Sequence, residues 1–141
     1  MPIYHCHSPR RLLTESAKEK LAGEITGIHC EATGESPSFV NVLFIDILEG
    51  ASFEAGRPST RSLVFGEIRD GHDLQTRHAL LRDLSQTWTR LTGQSEAELI
   101  VALRETPAEN ATQAGLIFAG PGHDQQWFDE NRARLAEFGL L

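Results

Sequence analysis

Twice in this chain a long helical pattern lies between two strand-like runs, and that order constrains the fold more than any other feature. The first unit spans residues 2–48. PIYHCHS, residues 2–8, reads as a strand, and Pro9 with Arg10 and Arg11 opens a loop. TESAKEKLAGEITGIHCEAT then reads as a helix, with Thr14 as its cap and Glu15 favourably placed in its first turn. Ala17, Leu21, Ile25 and Ile28 give it one apolar stripe, and Gly34 and Pro37 mark its stop. FVNVLFIDIL, residues 39–48, is nearly apolar on both faces, which predicts a central strand covered on both sides.

The second unit spans residues 62–105. SLVFGEIR, residues 62–69, and LIVALRE, residues 99–105, read as strands. Between them, residues 73–93 read as a helix with a stripe of Leu74, Leu81, Leu84, Trp88 and Leu91, closed by Gly93. The connection at 49–60 carries Gly and Pro and suits a hairpin or a loop over a site. The tail, 106–141, reads as a short strand or turn, a loop at Gly120-Pro121-Gly122, and a short helix. Parallel strands within each unit need crossover helices, and both helices are long enough to serve. The expected fold is therefore one α/β (α+β) domain over 1–141: a four-stranded sheet with two helices on one face and a C-terminal tail. Two helices cover only one face, so oligomerisation is expected to bury the other.

Composition narrows the function. The chain has 141 residues, 13 Lys and Arg against 20 Asp and Glu, and a net charge of −7. That balance argues against a nucleic-acid binder but permits a small anionic substrate held by local cations. Cys6 and Cys30 are too few for a disulfide framework, and no metal-ligand spacing is present. His5 and His7 share one strand face, and two ligands make a poor metal site. No apolar run reaches the ~18 residues of a membrane span, and the N-terminus lacks a signal core. A reduced, cytoplasmic setting without membrane association is expected. Residue 2 is proline, before which Met1 is readily removed, and the chain would then start with a free secondary amine.

PIYxxxS at the start, LTxSAK into the first helix, His29, IRDG at 68–71, ETPA at 105–108 and GPGHDQQWFD at 120–129 occur in collinear order. In this the chain resembles the tautomerase superfamily, and within it the cis-3-chloroacrylic acid dehalogenase-like group. The resemblance implies a tautomerase-like fold, a homotrimer, no cofactor, and a small carboxylate substrate. It implies Pro2 as catalyst, Arg69 as the carboxylate-binding arginine, His29 as a substrate contact and Tyr4 as an aromatic beside the terminal proline. The chemistry suits these residues. A secondary amine whose charged form is disfavoured by burial and nearby cations can shuttle a proton between carbon and oxygen. A guanidinium grips a carboxylate through two parallel hydrogen bonds. His123 and Trp127, in the terminal signature, are expected to organise a loop or a subunit contact.

Three departures from the dehalogenase pattern argue against efficient dehalogenation. His72 stands where the pattern has a second arginine, Ala102 where it has a tyrosine, and Gln113 where it has a glutamate. An amide orients water but takes no proton from it, and an alanine offers no hydroxyl. His72 and Gln113 stay as candidate substrate contacts. The expected activity is tautomerisation of a 2-keto or enol carboxylic acid, with Ala102 making room for a bulkier, more apolar one. Hydration or β-keto acid decarboxylation by a protonated Pro2, and a non-catalytic oligomeric role, are the alternatives.

Overall fold

The computed structural model describes residues 1–141. In chain order the elements are β1 (Ile3–Pro9), α1 (Glu15–Thr33), β2 (Asn41–Ile47), β3 (Phe53–Glu54), β4 (Arg57–Pro58), β5 (Ser62–Arg69), α2 (Leu74–Thr92), β6 (Leu99–Thr106), β7 (Thr112–Gln113), β8 (Leu116–Ile117) and α3 (Asp124–Glu137). The two long helices begin and end where their chemistry dictates. The Thr14 side chain accepts from the Ala17 N–H, and the Asp73 carboxylate accepts from the Thr76 N–H. Gly34 and Gly93 close them in the left-handed conformation, at φ 74° and 79°.

The main sheet has the order β2-β1-β5-β6. β1 pairs with β2 in parallel and β5 with β6 in parallel, while β1 and β5 run antiparallel at the centre. Each β-α-β unit therefore keeps its own parallel pair, and the units meet through their first strands. β3 with β4, and β7 with β8, form two small separate hairpins.

Residues 39–48 do not form a central strand. β2 lies at the sheet edge, with Leu43 47% and Ile45 39% exposed. Apolarity on both faces of a run shows that both faces prefer cover; it does not fix lateral position in the sheet. Val42 and Phe44 pack on the helix-covered core, and Leu43 and Ile45 project to the open face beside Phe65 and Ile100. The stripe of α2 also differs from its sequence reading. Leu80, Leu84, Thr87 and Trp88 are its buried residues, and Leu74 is exposed. α3 runs 14 residues, longer than the short helix expected.

The core lies between the sheet and the α1–α2 layer and includes Tyr4, Cys6, Leu21, Ile25, Val64, Ile68, Leu80, Leu84 and Trp88. Its polar atoms are paired: Gln94 Oε1 accepts from Trp88 Nε1 at 2.9 Å and from the Ser62 hydroxyl at 2.7 Å. A second, smaller core gathers Phe39, Ala108, Phe118 and Leu135, with Met1, Trp127 and Phe128 packed against it. The tail thus folds back over the end of the sheet where the chain begins.

Candidate active site

The sheet pairing brings the sequence-predicted residues together. β1 and β5 are antiparallel, with Ile3 opposite Glu67, so the chain start lies beside the end of β5 and Arg69. α1 ends near the same edge, because the chain must return to Asn41 opposite Ile3. His29, in the last turns of α1, is thereby brought to the same end. Pro2 is buried, and its carbonyl accepts from the Asn41 N–H at 3.0 Å.

At the centre of this cluster is Glu35, which the sequence reading missed. Its carboxylate lies 3.7 Å from the Met1 amine, 3.6 Å from His29 Nε2, 3.6 Å from Arg69 Nε and 3.3 Å from His72 Nε2. Burial alone would raise its pKa. The contacts to His29 and His72, with the terminal ammonium and Arg69, outweigh burial and hold it well below the usual carboxylate range. The His72 contact is within hydrogen-bonding distance; at 3.6 Å the His29 contact acts through charge and dipole. No motif marks Glu35. The only signal in the sequence is physical: His29, Arg69, His72 and the chain's terminal amine drawn to one end of a sheet in an acidic protein call for a carboxylate between them.

Arg69 has a second partner. Its guanidinium forms a bidentate pair with Asp124 at the start of α3, with Nη2 to Oδ2 at 3.0 Å and Nη1 on Oδ1. The hydrogen bond to Asp124 raises the Arg69 pKa further. Gly71 lets α3 come this close. Its φ is +95°, and a Cβ there would lie 2.5 Å from the Pro121 ring. The GPG loop therefore seats directly on the turn after Arg69.

Tyr4 is wholly buried and reaches the site only through His29. Its hydroxyl lies 2.8 Å from His29 Nδ1. The phenol has no other partner, so it donates to Nδ1, and His29 carries its proton on Nε2, facing Glu35. The ring fits because Gly66 lies opposite it on β5, where a Cβ would stand 2.6 Å from Tyr4 and 2.7 Å from Leu103. His29 Nε2 and Arg69 Nε are the two buried side-chain atoms without a hydrogen-bond partner, and both face the centre of the cluster.

A cavity of about 100 Å³ opens here. Met1, Glu35, Arg69 and Asp124 line it, with Phe39, Phe118, Trp127 and Phe128 among its apolar neighbours. The Met1 amine is pulled below its ordinary pKa, first by burial; Glu35 opposes this and Arg69 adds to it. The expected contact Gln113 and the expected pocket-widening residue Ala102 lie elsewhere in this chain. Gln113 sits on the β7–β8 hairpin opposite Leu116, away from the cavity lining. Ala102 faces Phe65 across β6 and β5 and lines a depression on the open sheet face with His5 and His7. Its small side chain therefore adds no space to the cavity beside Met1. Trp127 does organise a loop: its Nε1 donates to the Ile117 carbonyl at 2.7 Å, and its ring stacks on Phe118. No cluster of three or more metal-type side chains is present, and no helix is long and apolar enough to cross a membrane.

Two antiparallel-joined β-α-β units, with the chain start beside a half-buried arginine at one sheet end, define the tautomerase fold. Residues 1–132 match the Tautomerase_3 family model, described as "Putative oxalocrotonate tautomerase enzyme", and the chain belongs to that family. Among solved structures, it is similar to N1, a member of the cis-3-chloroacrylic acid dehalogenase family, at 25% identity and TM-score 0.90, over 99% of each chain. It is 35% identical to Ps01740, with TM-score 0.77, over 79% of this chain and 99% of that one. A fused 4-OT that forms a symmetric trimer shares the fold at 19% identity, TM-score 0.76, over 83% of this chain and 95% of that one. None of the curated proteins compared with it matches this sequence.

Proposed function

We propose that this protein is a cofactor-independent tautomerase acting on a small 2-keto or enol carboxylic acid. After removal of Met1, the Pro2 amine acts as general base and then acid. The observation that carries this reading is the burial of Pro2 at the same sheet end as Arg69, where His29 Nε2 and Arg69 Nε are both buried without a hydrogen-bond partner. Arg69 binds the carboxylate, which takes the place of Asp124 on the guanidinium. The Nε2–H of His29 donates a hydrogen bond to the 2-oxygen and keeps its proton. The neutral amine accepts the enol O–H proton, and the resulting ammonium returns it to the adjacent carbon. The net result is a 1,3-proton shift that consumes no co-reactant.

The test has two steps. Intact-mass measurement of the purified protein shows a chain starting at Pro2. Ketonisation of a 2-hydroxy-2-enoic acid, followed by its ultraviolet absorbance, is then lost when the terminal amine is acylated. Ketonisation unaffected by acylation overturns the mechanism.

Glu35 favours one second reading. A carboxylate beside the terminal amine stabilises the ammonium, which suits a protonated Pro2 acting as acid in hydration or β-keto acid decarboxylation. Release of carbon dioxide from malonate semialdehyde, without ketonisation of enol acids, would select it. A mature protein that keeps Met1 has no free proline amine, and a non-catalytic role then stands. The open sheet face carrying Leu43, Ile45, Phe65 and Ile100 supports a homotrimer.

A further inference from the structure

The two β-α-β units match feature for feature. α1 and α2 are both 19 residues long, and both end on a left-handed glycine, Gly34 and Gly93. Each unit carries a small hairpin that turns on a left-handed Ala-Gly pair, Ala55-Gly56 and Ala114-Gly115. The Arg10 N–H donates to the Ile47 carbonyl at 3.0 Å, as the Asp70 N–H donates to the Thr106 carbonyl at 3.1 Å. β1 and β5 are antiparallel, so the counterpart of the site at the start of β1 lies at the opposite end of the sheet, where β1 ends and β5 begins.

That counterpart keeps the frame of the site and changes its chemistry. Gln94 follows Gly93 as Glu35 follows Gly34. Gln94 accepts from Trp88 Nε1 and the Ser62 hydroxyl, where Glu35 faces His29 and the terminal amine. A neutral amide thus stands in place of the carboxylate. Arg61 precedes Ser62 within the chain, so no free amine arises here. The cations remain: Arg10, Arg11 and Arg61 line an open cavity of about 710 Å³ with the hydroxyl residues Ser59 and Thr60. Glu49 is the only carboxylate of the lining, and Arg61 is also paired with Glu54 at 2.5 Å. Arg10 and Arg11 are exposed and pair with no carboxylate. Arg11 holds a left-handed backbone, φ 74°, where the second unit has Gly71. An arginine in a conformation that favours glycine sets a second guanidinium on this loop at a cost in strain. No residue of α3 lines this cavity, whereas Asp124 of α3 closes on Arg69 at the other end.

We propose that this second sheet end is a binding site for a small dianionic oxyanion, a dicarboxylate or a phosphate monoester, which is held there and not turned over. Guanidinium forks grip such oxygens through paired N–H donors. Three guanidiniums against one carboxylate in the lining match a dianion better than a monoanion. The proposal is independent of the tautomerase reading, because it uses none of that site's residues.

The two tryptophans report the two ends. Trp88 is joined through Gln94 to the Thr60 carbonyl at the cavity wall, and Trp127 lines the other site. Binding of malonate, inorganic phosphate and acetate to the whole assembly is measured by calorimetry, and the indole N–H signals are followed by NMR. At least one dianion is expected to bind about tenfold or more tightly than acetate, to weaken with added salt and to move the Trp88 signal. Saturation by malonate or by phosphate tells a dicarboxylate from a phosphate ester. Arg10→Gln with Arg11→Gly, whose glycine suits the left-handed backbone, should weaken that binding about tenfold or more and leave the mass of the assembly unchanged. The proposal is overturned by the absence of saturable dianion binding, by equal affinity for acetate, or by a response of Trp127 alone. Undiminished binding in the double variant also overturns it. So does a fall in the variant's mass by light scattering, which would make these arginines a subunit contact.

Discussion

Glu35 and Tyr4 show how much of this site is decided by single atoms. Tyr4 donates its one phenolic proton to His29 Nδ1 and so fixes which imidazole nitrogen faces the site. Tyr4→Phe removes that donor and leaves a buried acceptor unpaired, at a cost of about 1–3 kcal/mol. Urea denaturation should show the loss. The variant's pH–rate profile should also shift, because the tautomer of His29 is no longer fixed, whereas a purely structural role would lower stability alone. For Glu35 the sign of the pH effect follows from its depressed pKa. Its contribution to stability is full above the unfolded-state value of about 4.3 and is lost as pH falls below it. Denaturation midpoints should therefore drop on acidification below about pH 5, and Glu35→Gln should flatten that drop. Sequence reasoning found His29, Arg69 and His72 by position in motifs. It could not find Glu35, because a glutamate between a cap glycine and a serine looks like any solvated loop residue.

At the scale of elements, α3 decides access. It is amphipathic only locally and reads from sequence as a tail, yet its first turn places Asp124 on Arg69 and its next residues build the aromatic wall. A substrate carboxylate and Asp124 compete for the same two guanidinium nitrogens. Asp124→Asn keeps the helix start but removes the charge that competes. KM for a carboxylate substrate should fall several-fold in the variant, with kcat little changed, and steady-state kinetics over a concentration series will read it. An unchanged or raised KM would mean that Asp124 helps hold the acid instead. The collinear GPGHDQQWFD signature was legible. What it does was not, since Gly71 and Pro121 are 50 positions apart in sequence and touch only after the sheet has formed.

For the whole molecule, the open sheet face is the unresolved energy term that assembly would settle. Leu43, Ile45, Phe65 and Ile100 stand 39–47% exposed on one side of the sheet. Burying such side chains is worth roughly 1.5–3 kcal/mol each when complete. Leu43→Glu with Ile45→Lys puts two charges on that face and should dissociate a trimer to monomers, as seen by sedimentation or light scattering. A trimer of unchanged stability in the double variant would place the subunit contact elsewhere. His5, His7 and Ala102 share this face, so their roles depend on what covers it.

The sequence by itself determined the two β-α-β units, their caps and the pairing of each strand with its parallel neighbour. Those follow from local periodicity, capping chemistry and chain connectivity, which act within a few turns of chain. It also placed Pro2, Arg69 and His29 as the residues to watch. Only the tertiary structure decided that β1 and β5, not β2, lie at the centre of the sheet, because lateral order depends on which edges pair across long separations. It alone set Glu35 among the terminal amine, His29, Arg69 and His72, and Asp124 on Arg69. Attraction between charges depends on distance in space, and the antiparallel joining of the two units is what makes those distances short.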